Sequence, residues 1–186
     1  FWTLPAPAGW QPPPGLAEFL ARPGPVVAAG FGSMPQDDPA GLAALLAEAA
    51  RRAGVRLVLL GGWGKVRPVD DTPDVFPVDA VPHDWLFPRV AAAVHHGGAG
   101  TCAAAVHAGV PSVVVPHFLD QRFWADRLWQ AGVAPPAVRR KALTAGRLAD
   151  RIRTAVGGPD MRRRAAAMAA GLAREDGVGR AVDALE

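Results

Sequence analysis

Five short apolar runs limit this chain more than any other feature: Val26–Phe31, Val55–Leu60, Val75–Val78, Ala91–His95 and Ser112–Val115. None alternates regularly between apolar and polar residues. A strand with one face in water shows that alternation. A strand buried on both faces does not, and such strands occur in parallel sheets covered by helices. The text between the runs is helical: Pro39–Ala53, a short turn at Asp84–Val90, Gly100–Ala108 and Gln121–Ala131. Strand–helix alternation through short loops argues for right-handed βαβ units. The expected fold is therefore α/β, a Rossmann-like three-layer domain with a parallel sheet of about six strands. The sixth strand is a weak candidate near Val133–Val138. Three helical stretches, Leu143–Val156, Asp160–Ala173 and Gly177–Leu185, make a helical C-terminal tail, with Pro159 suited to open the second of them.

Residues 1–24 differ in kind. Pro5, Pro7, Pro12, Pro13, Pro14 and Pro23 give them the character of an extended linker, interrupted by a short helix over Leu16–Ala21. Residues 25–186 are expected to be one domain. The chain of 186 residues begins at Phe1 and has no charged-then-apolar start, so it reads as a piece of a longer protein. Its lone cysteine, Cys102, excludes a disulfide framework and a cysteine-based zinc site. No apolar run reaches the roughly 18 residues a membrane span needs.

Charge is unevenly placed. Residues 139–186 hold 11 Arg or Lys against 6 Asp or Glu, while residues 1–138 hold 9 against 11. A basic segment raises the question of nucleic acid. Here the arginines sit among alanines in helical text with no stacking aromatic between them, which is the pattern of a solvated helix face.

Ligands of open parallel sheets bind at the carboxyl ends of the strands, so the residues that follow each run carry the functional argument. After the first comes Gly30-Phe31-Gly32-Ser33-Met34. It offers close backbone approach and a hydroxyl, but lacks the third glycine of a dinucleotide fingerprint. The second run ends in Gly61-Gly62-Trp63 without a ribose-binding acid, so an NAD-dependent oxidoreductase is not expected. After the fourth comes His95-His96-Gly97-Gly98-Ala99-Gly100-Thr101, the most informative stretch. Its glycines clear side chains from a strand-to-helix turn, the helix start presents free N–H groups, and Thr101 adds a hydroxyl. Adjacent histidines point to opposite sides of a strand end, so one of the two faces the ligand. The set is a pyrophosphate cradle without lysine, and no carboxylate or cysteine completes a metal site. After the fifth run, Asp120 and Gln121 suit sugar hydroxyls, although Asp120 alone also reads as a helix cap. Before the fourth, the loop Ala80-Val81-Pro82 leads to the same edge, and its backbone groups could read a nucleobase.

In this order the motifs resemble the carboxyl-terminal, donor-binding half of a GT-B glycosyltransferase, of the bacterial type that glycosylates antibiotics and lipids and is related to UDP-glycosyltransferases. The likeness runs from Pro12 to Glu186 and rests on Gly30–Met34, Val81-Pro82, His95–Thr101, Ala108-Gly109-Val110-Pro111 and Asp120-Gln121. His96 to Gln121 lies without gaps on the plant signature, and Thr101 falls on its phosphate-binding serine.

The resemblance implies a UDP- or dTDP-sugar as co-substrate, without cofactor or metal. It implies that Ser33, His96, Gly98, Gly100 and Thr101 hold the diphosphate, that the Val81 backbone pairs with the base, and that Asp120 and Gln121 hold the sugar. Transfer would go with inversion to a small-molecule or lipid acceptor, in the cytoplasm. The family's general base and acceptor site lie in an amino-terminal domain outside this chain. No catalytic residue is therefore assigned here, and the chain alone is expected to be inactive. His83, His107 and His117 are read as packing or surface, with His117 near the sugar site. Many relatives carry a tryptophan before the Val-Pro to stack on the base. Here that residue is Ala80, so the stacking is either lost or supplied by Trp63 or Trp85. Two alternatives remain beside this reading: a naturally split glycosyltransferase subunit, and a non-catalytic nucleotide-binding or interaction module.

Overall fold

The computed structural model describes residues 5–68 and 72–185. Five strands form one parallel sheet in the order β3-β2-β1-β4-β5: β1 (Val26–Gly30), β2 (Arg56–Leu60), β3 (Val75–Val78), β4 (Ala92–His95) and β5 (Ser112–Val114). The helices are α1 (Leu16–Ala21), α2 (Pro39–Ala53), α3 (His83–Leu86), α4 (Ala99–His107), α5 (Gln121–Gln130), α6 (Ala145–Gly157), α7 (Pro159–Leu172) and α8 (Gly177–Asp183). A 3₁₀ turn at Phe87–Arg89 completes the short helical stretch expected before β4.

Both faces of the sheet are buried, as the unbroken apolar runs require. Val27, Ala29, Leu57, Leu59 and Val94 face one core with Leu42 and Leu46 of α2 and Leu148 and Ile152 of α6. Their chain neighbours Val26, Ala28, Val58 and Ala93 face the other core with Leu16 and Phe19 of α1, Leu86 of α3 and Ala105 of α4. Local chemistry sets the helix ends. The Asp38 carboxylate accepts from the Gly41 N–H at 2.8 Å, Pro39 opens α2, and Gly54 at φ 69° ends it. Thr144 caps α6 by accepting from the Arg147 N–H at 3.3 Å, and Pro159 opens α7.

The sixth strand does not form. Residues 133–138 run beside β5 and bond to it at their ends only, Ser112 N–H to Val133 O and Val138 N–H to Val114 O, both at 3.0 Å. Pro135 and Pro136 between these points have no N–H to give, so no ladder can follow. The proline-rich segment 1–24 also does more than extend: residues 1–4, with Trp2, lie outside the described residues, but from Leu16 onward the segment packs into the domain.

Arg56, buried at the start of β2, ties α1 down. Its guanidinium donates to the carbonyls of Phe19, Arg22 and Gly24, the last at 2.9 Å, and lies 5.1 Å from the Phe19 ring centroid. Arg56→Met keeps the stem but leaves three carbonyls without that donor. It is expected to lower unfolding free energy by about 2 kcal/mol, read as a lower urea midpoint at unchanged slope. No helix among the described residues is long and apolar enough to cross a membrane.

Candidate functional site

The chain order along the sheet reverses between β1 and β4, where doubly wound sheets open a crevice at their carboxyl edge. Gly30 is paired there with Leu60 on one side and His95 on the other. The loops that leave these strands converge above them. Of the five buried polar or charged side chains among the described residues, three lie at this edge: His95, His96 and Gln121.

The turn from β4 into α4 is made by Gly97, at φ 90°, and Gly98, which precedes the first helical residue. No side chain caps α4, so the N–H groups of its first turn stay open to the crevice with the positive end of the helix dipole. His96 stands in a slot between two glycines. A Cβ on Gly98 would lie 2.5 Å from His96 Nε2, and one on Gly32 would lie 3.3 Å from its Cε1. Gly100 is different, since a Cβ there would meet nothing within 4 Å.

Two adjoining cavities fill the crevice. The inner one, of about 350 Å³, is lined by Gly32, Ser33, Trp63, Val81, His95 and Thr101 among others. The outer one, of about 810 Å³, shares Ala80, Val81, His83 and Thr101 and adds Gly100, Ala104 and His107. Ser33, Val81 and Thr101 thus meet at one cavity, Gly100 joins at its mouth, and His96 and Gly98 form the turn beside it. Gln121 and Asp120 lie on the far side of that turn, where a Cβ on Gly97 would come within 3.0 Å of the Gln121 carbonyl. Gln121 is largely committed to the fold. Its Oε1 accepts from the N–H groups of His117 (2.7 Å) and Phe118 (3.2 Å), and its Nε2 lies 3.4 Å from Met34 Sδ. The Asp120 carboxylate accepts from Trp124 Nε1 at 2.9 Å and does not cap α5.

His95 is the residue that sequence reasoning missed. Its Nδ1 accepts from the Gly97 N–H at 3.1 Å, which puts the ring proton on Nε2. That buried donor has no protein partner. Burial first, then the charges of His96 and His83, push its pKa down to about 3. Burial likewise lowers His96, joined by His117 and opposed by Asp120. His83, stacked on Phe87 with centroids 4.5 Å apart, and His117, whose Nδ1 lies 3.0 Å from the Val115 carbonyl, are lowered by burial as well. The site therefore offers neutral imidazoles and backbone N–H groups, a donor set that suits an anion without a lysine. Arg140 stands at its flank, 3.3 Å from Gln36 Oε1, although its segment reads as plain helix surface.

These shifts have a sign. A folded state that holds histidine neutral loses stability as pH falls from the unfolded value near 6.5 toward the folded one. At pH 5, His95 alone is expected to cost about 2 kcal/mol relative to pH 7.5. Glu48, held near 2 by hydrogen bonds from Arg51 and Arg52, acts only at lower pH. The urea midpoint of the parent protein should be lower at pH 5 than at pH 7.5, and the difference should be smaller in His95→Gln.

Residues 63–180 match the family described as erythromycin biosynthesis protein CIII-like, C-terminal domain. Sterol 3-beta-glucosyltransferase UGT80B1 of Arabidopsis thaliana is 39% identical over 177 residues, which are 94% of this chain and 29% of that protein. A sterol 3-beta-glucosyltransferase of Cryptococcus neoformans is 35% identical over 95% of this chain and 12% of its own length. The chain therefore spans less than a third of these curated relatives. Among solved structures, the glycosyltransferase VinC in complex with dTDP superposes with a TM-score of 0.70 at 28% identity, over 83% of this chain and 39% of that one. The calicheamicin glycosyltransferase CalG4 superposes with a TM-score of 0.74 at 25% identity, over 98% of this chain and 44% of that one.

Proposed function

Because this chain belongs to the family of erythromycin biosynthesis protein CIII-like C-terminal domains, we propose that it is the donor-binding part of an inverting glycosyltransferase that takes its sugar from UDP or dTDP. The observation that carries this reading is the uncapped start of α4 behind Gly97 and Gly98, with Ser33, Val81 and Thr101 around one cavity. The dTDP held by the similar VinC structure supports it.

In this proposal the open N–H groups of α4, the Thr101 and Ser33 hydroxyls and the His96 ring bind the diphosphate. Gly98 and Gly100 let it approach the backbone, and the Val81 peptide pairs with the base. Asp120 and the Nε2 of Gln121 meet the sugar. As the glycosidic bond to the diphosphate breaks, negative charge grows on the leaving group. Fixed donors and the helix dipole stabilise that charge without reorganisation. No metal is needed for that step. The acceptor, a sterol-like lipid or other natural product by analogy with the relatives, and the base that deprotonates it belong to an amino-terminal domain. Residues 1–24 would carry the linker from that domain, and the enzyme would work in the cytoplasm.

Calorimetric titration with UDP, dTDP and NAD, each with a chelator present, tests the proposal. Saturable heat with at least one pyrimidine nucleotide and none with NAD is expected, with no sugar transfer by this chain alone. Absence of heat with both pyrimidine nucleotides would overturn it.

A further inference from the structure

We infer that Trp63 is the platform on which the donor's nucleobase stacks, an inference that rests on the nucleotide reading above. Ala80, beside the Val81 peptide, has no ring to offer. Trp85 is already engaged: its ring meets Trp10 edge-on with centroids 5.3 Å apart, and Arg89 lies 4.5 Å above it. Trp85 does not line the inner cavity, whereas Trp63 does, together with Ala80 and Val81. Trp63 is also 85% exposed, so no core contact accounts for the indole at this position.

The turn that carries Trp63 is fastened on both sides. Gly61 N–H donates to Val78 O at 2.8 Å and Gly62 N–H to Asp79 O at 3.0 Å, which joins the turn to the strand leading into Ala80-Val81. The Trp63 N–H donates to Gly32 O at 3.2 Å, which joins it to the loop bearing Ser33. The approach to that loop is so close that a Cβ on Gly62, at φ 54°, would lie 2.6 Å from the Gly32 carbonyl oxygen. The backbone of Trp63 is thus held between the loop assigned to the base and the loop assigned to the phosphate, while its ring is left free. A planar heteroaromatic ring is the ligand that such a ring takes, and stacking of this kind tolerates uracil and thymine alike.

The experiment compares Trp63→Ala and Trp63→Phe with the parent protein, titrated with UDP and with inorganic pyrophosphate, which shares the charge but has no base. Trp63→Ala should weaken UDP at least about tenfold and leave pyrophosphate unchanged, and Trp63→Phe should keep most of the UDP affinity. UDP should also quench the indole emission of the parent, and that part of the signal should vanish in Trp63→Phe. Unchanged UDP affinity in Trp63→Ala overturns the assignment. Equal weakening of UDP and pyrophosphate also overturns it, because the indole would then act on the phosphates. If the parent binds pyrophosphate but not UDP, the nucleotide reading falls first and the stacking role falls with it.

Discussion

Gly97→Val is expected to lower unfolding free energy by about 4 kcal/mol, the sum of two costs that a glycine avoids. The first is conformational. Gly97 sits at φ 90°, in a region that a β-branched residue scarcely enters. The second is steric. A Cβ there would lie 2.8 Å from Val114 Cγ1 and 3.0 Å from the backbone oxygen of Gln121. Val114 is a buried residue of β5, and the Gln121 carbonyl belongs to the first turn of α5, so neither can give way cheaply. Chemical denaturation followed by circular dichroism checks the value. A change below about 1 kcal/mol would mean that the turn between β4 and α4 is not built as described.

Gly100→Leu should do the reverse: leave stability intact and abolish nucleotide binding. Gly100 is the second residue of α4, and an added Cβ meets no atom within 4 Å. Leucine is also the better helix former by several tenths of a kcal/mol, so the melting temperature should hold or rise slightly. The new side chain would project into the cavity that Thr101 and Val81 line. A loss of UDP affinity of at least about a hundredfold, roughly 2.7 kcal/mol, is expected from calorimetry. Unchanged affinity would place the diphosphate elsewhere.

The two variants separate what was readable in the sequence from what was not. Short-range signals translate directly. The five apolar runs become strands to within a residue or two, Pro39 and Pro159 open helices, and the glycines after His96 make the strand-to-helix turn. The sixth strand fails through a local fact with a non-local consequence. Pro135 and Pro136 interrupt donors just where pairing with β5 would need them, so 133–138 covers the sheet edge without extending it.

The remaining differences depend on contacts far apart in the chain. Gln121 reads as a free sugar ligand, yet its Oε1 is taken by the 117–118 backbone, which leaves the Nε2, 3.4 Å from Met34 Sδ, as the part that can meet a sugar. The sequence assigns no role to His95, yet the Gly97 N–H fixes its tautomer and leaves a buried donor without a protein partner on a residue that lines the cavity. Arg140 belongs to a segment that looks like solvated surface, and a bond to Gln36 brings it to the flank of the site. No periodicity or spacing encodes these contacts, because each joins residues from different loops at the carboxyl edge of the sheet.

In the proposed complex a neutral helix terminus, rather than the arginine-rich tail, receives the donor's diphosphate. Amide ¹⁵N–¹H spectra of the labelled protein titrated with UDP test it most directly. Saturable shifts concentrated at Gly98, Ala99, Gly100 and Thr101 are expected, with Ser33 and Val81 following at the same midpoint and no comparable change over residues 145–164. Shifts confined to that basic stretch, with the amides of 98–101 unmoved, would contradict it.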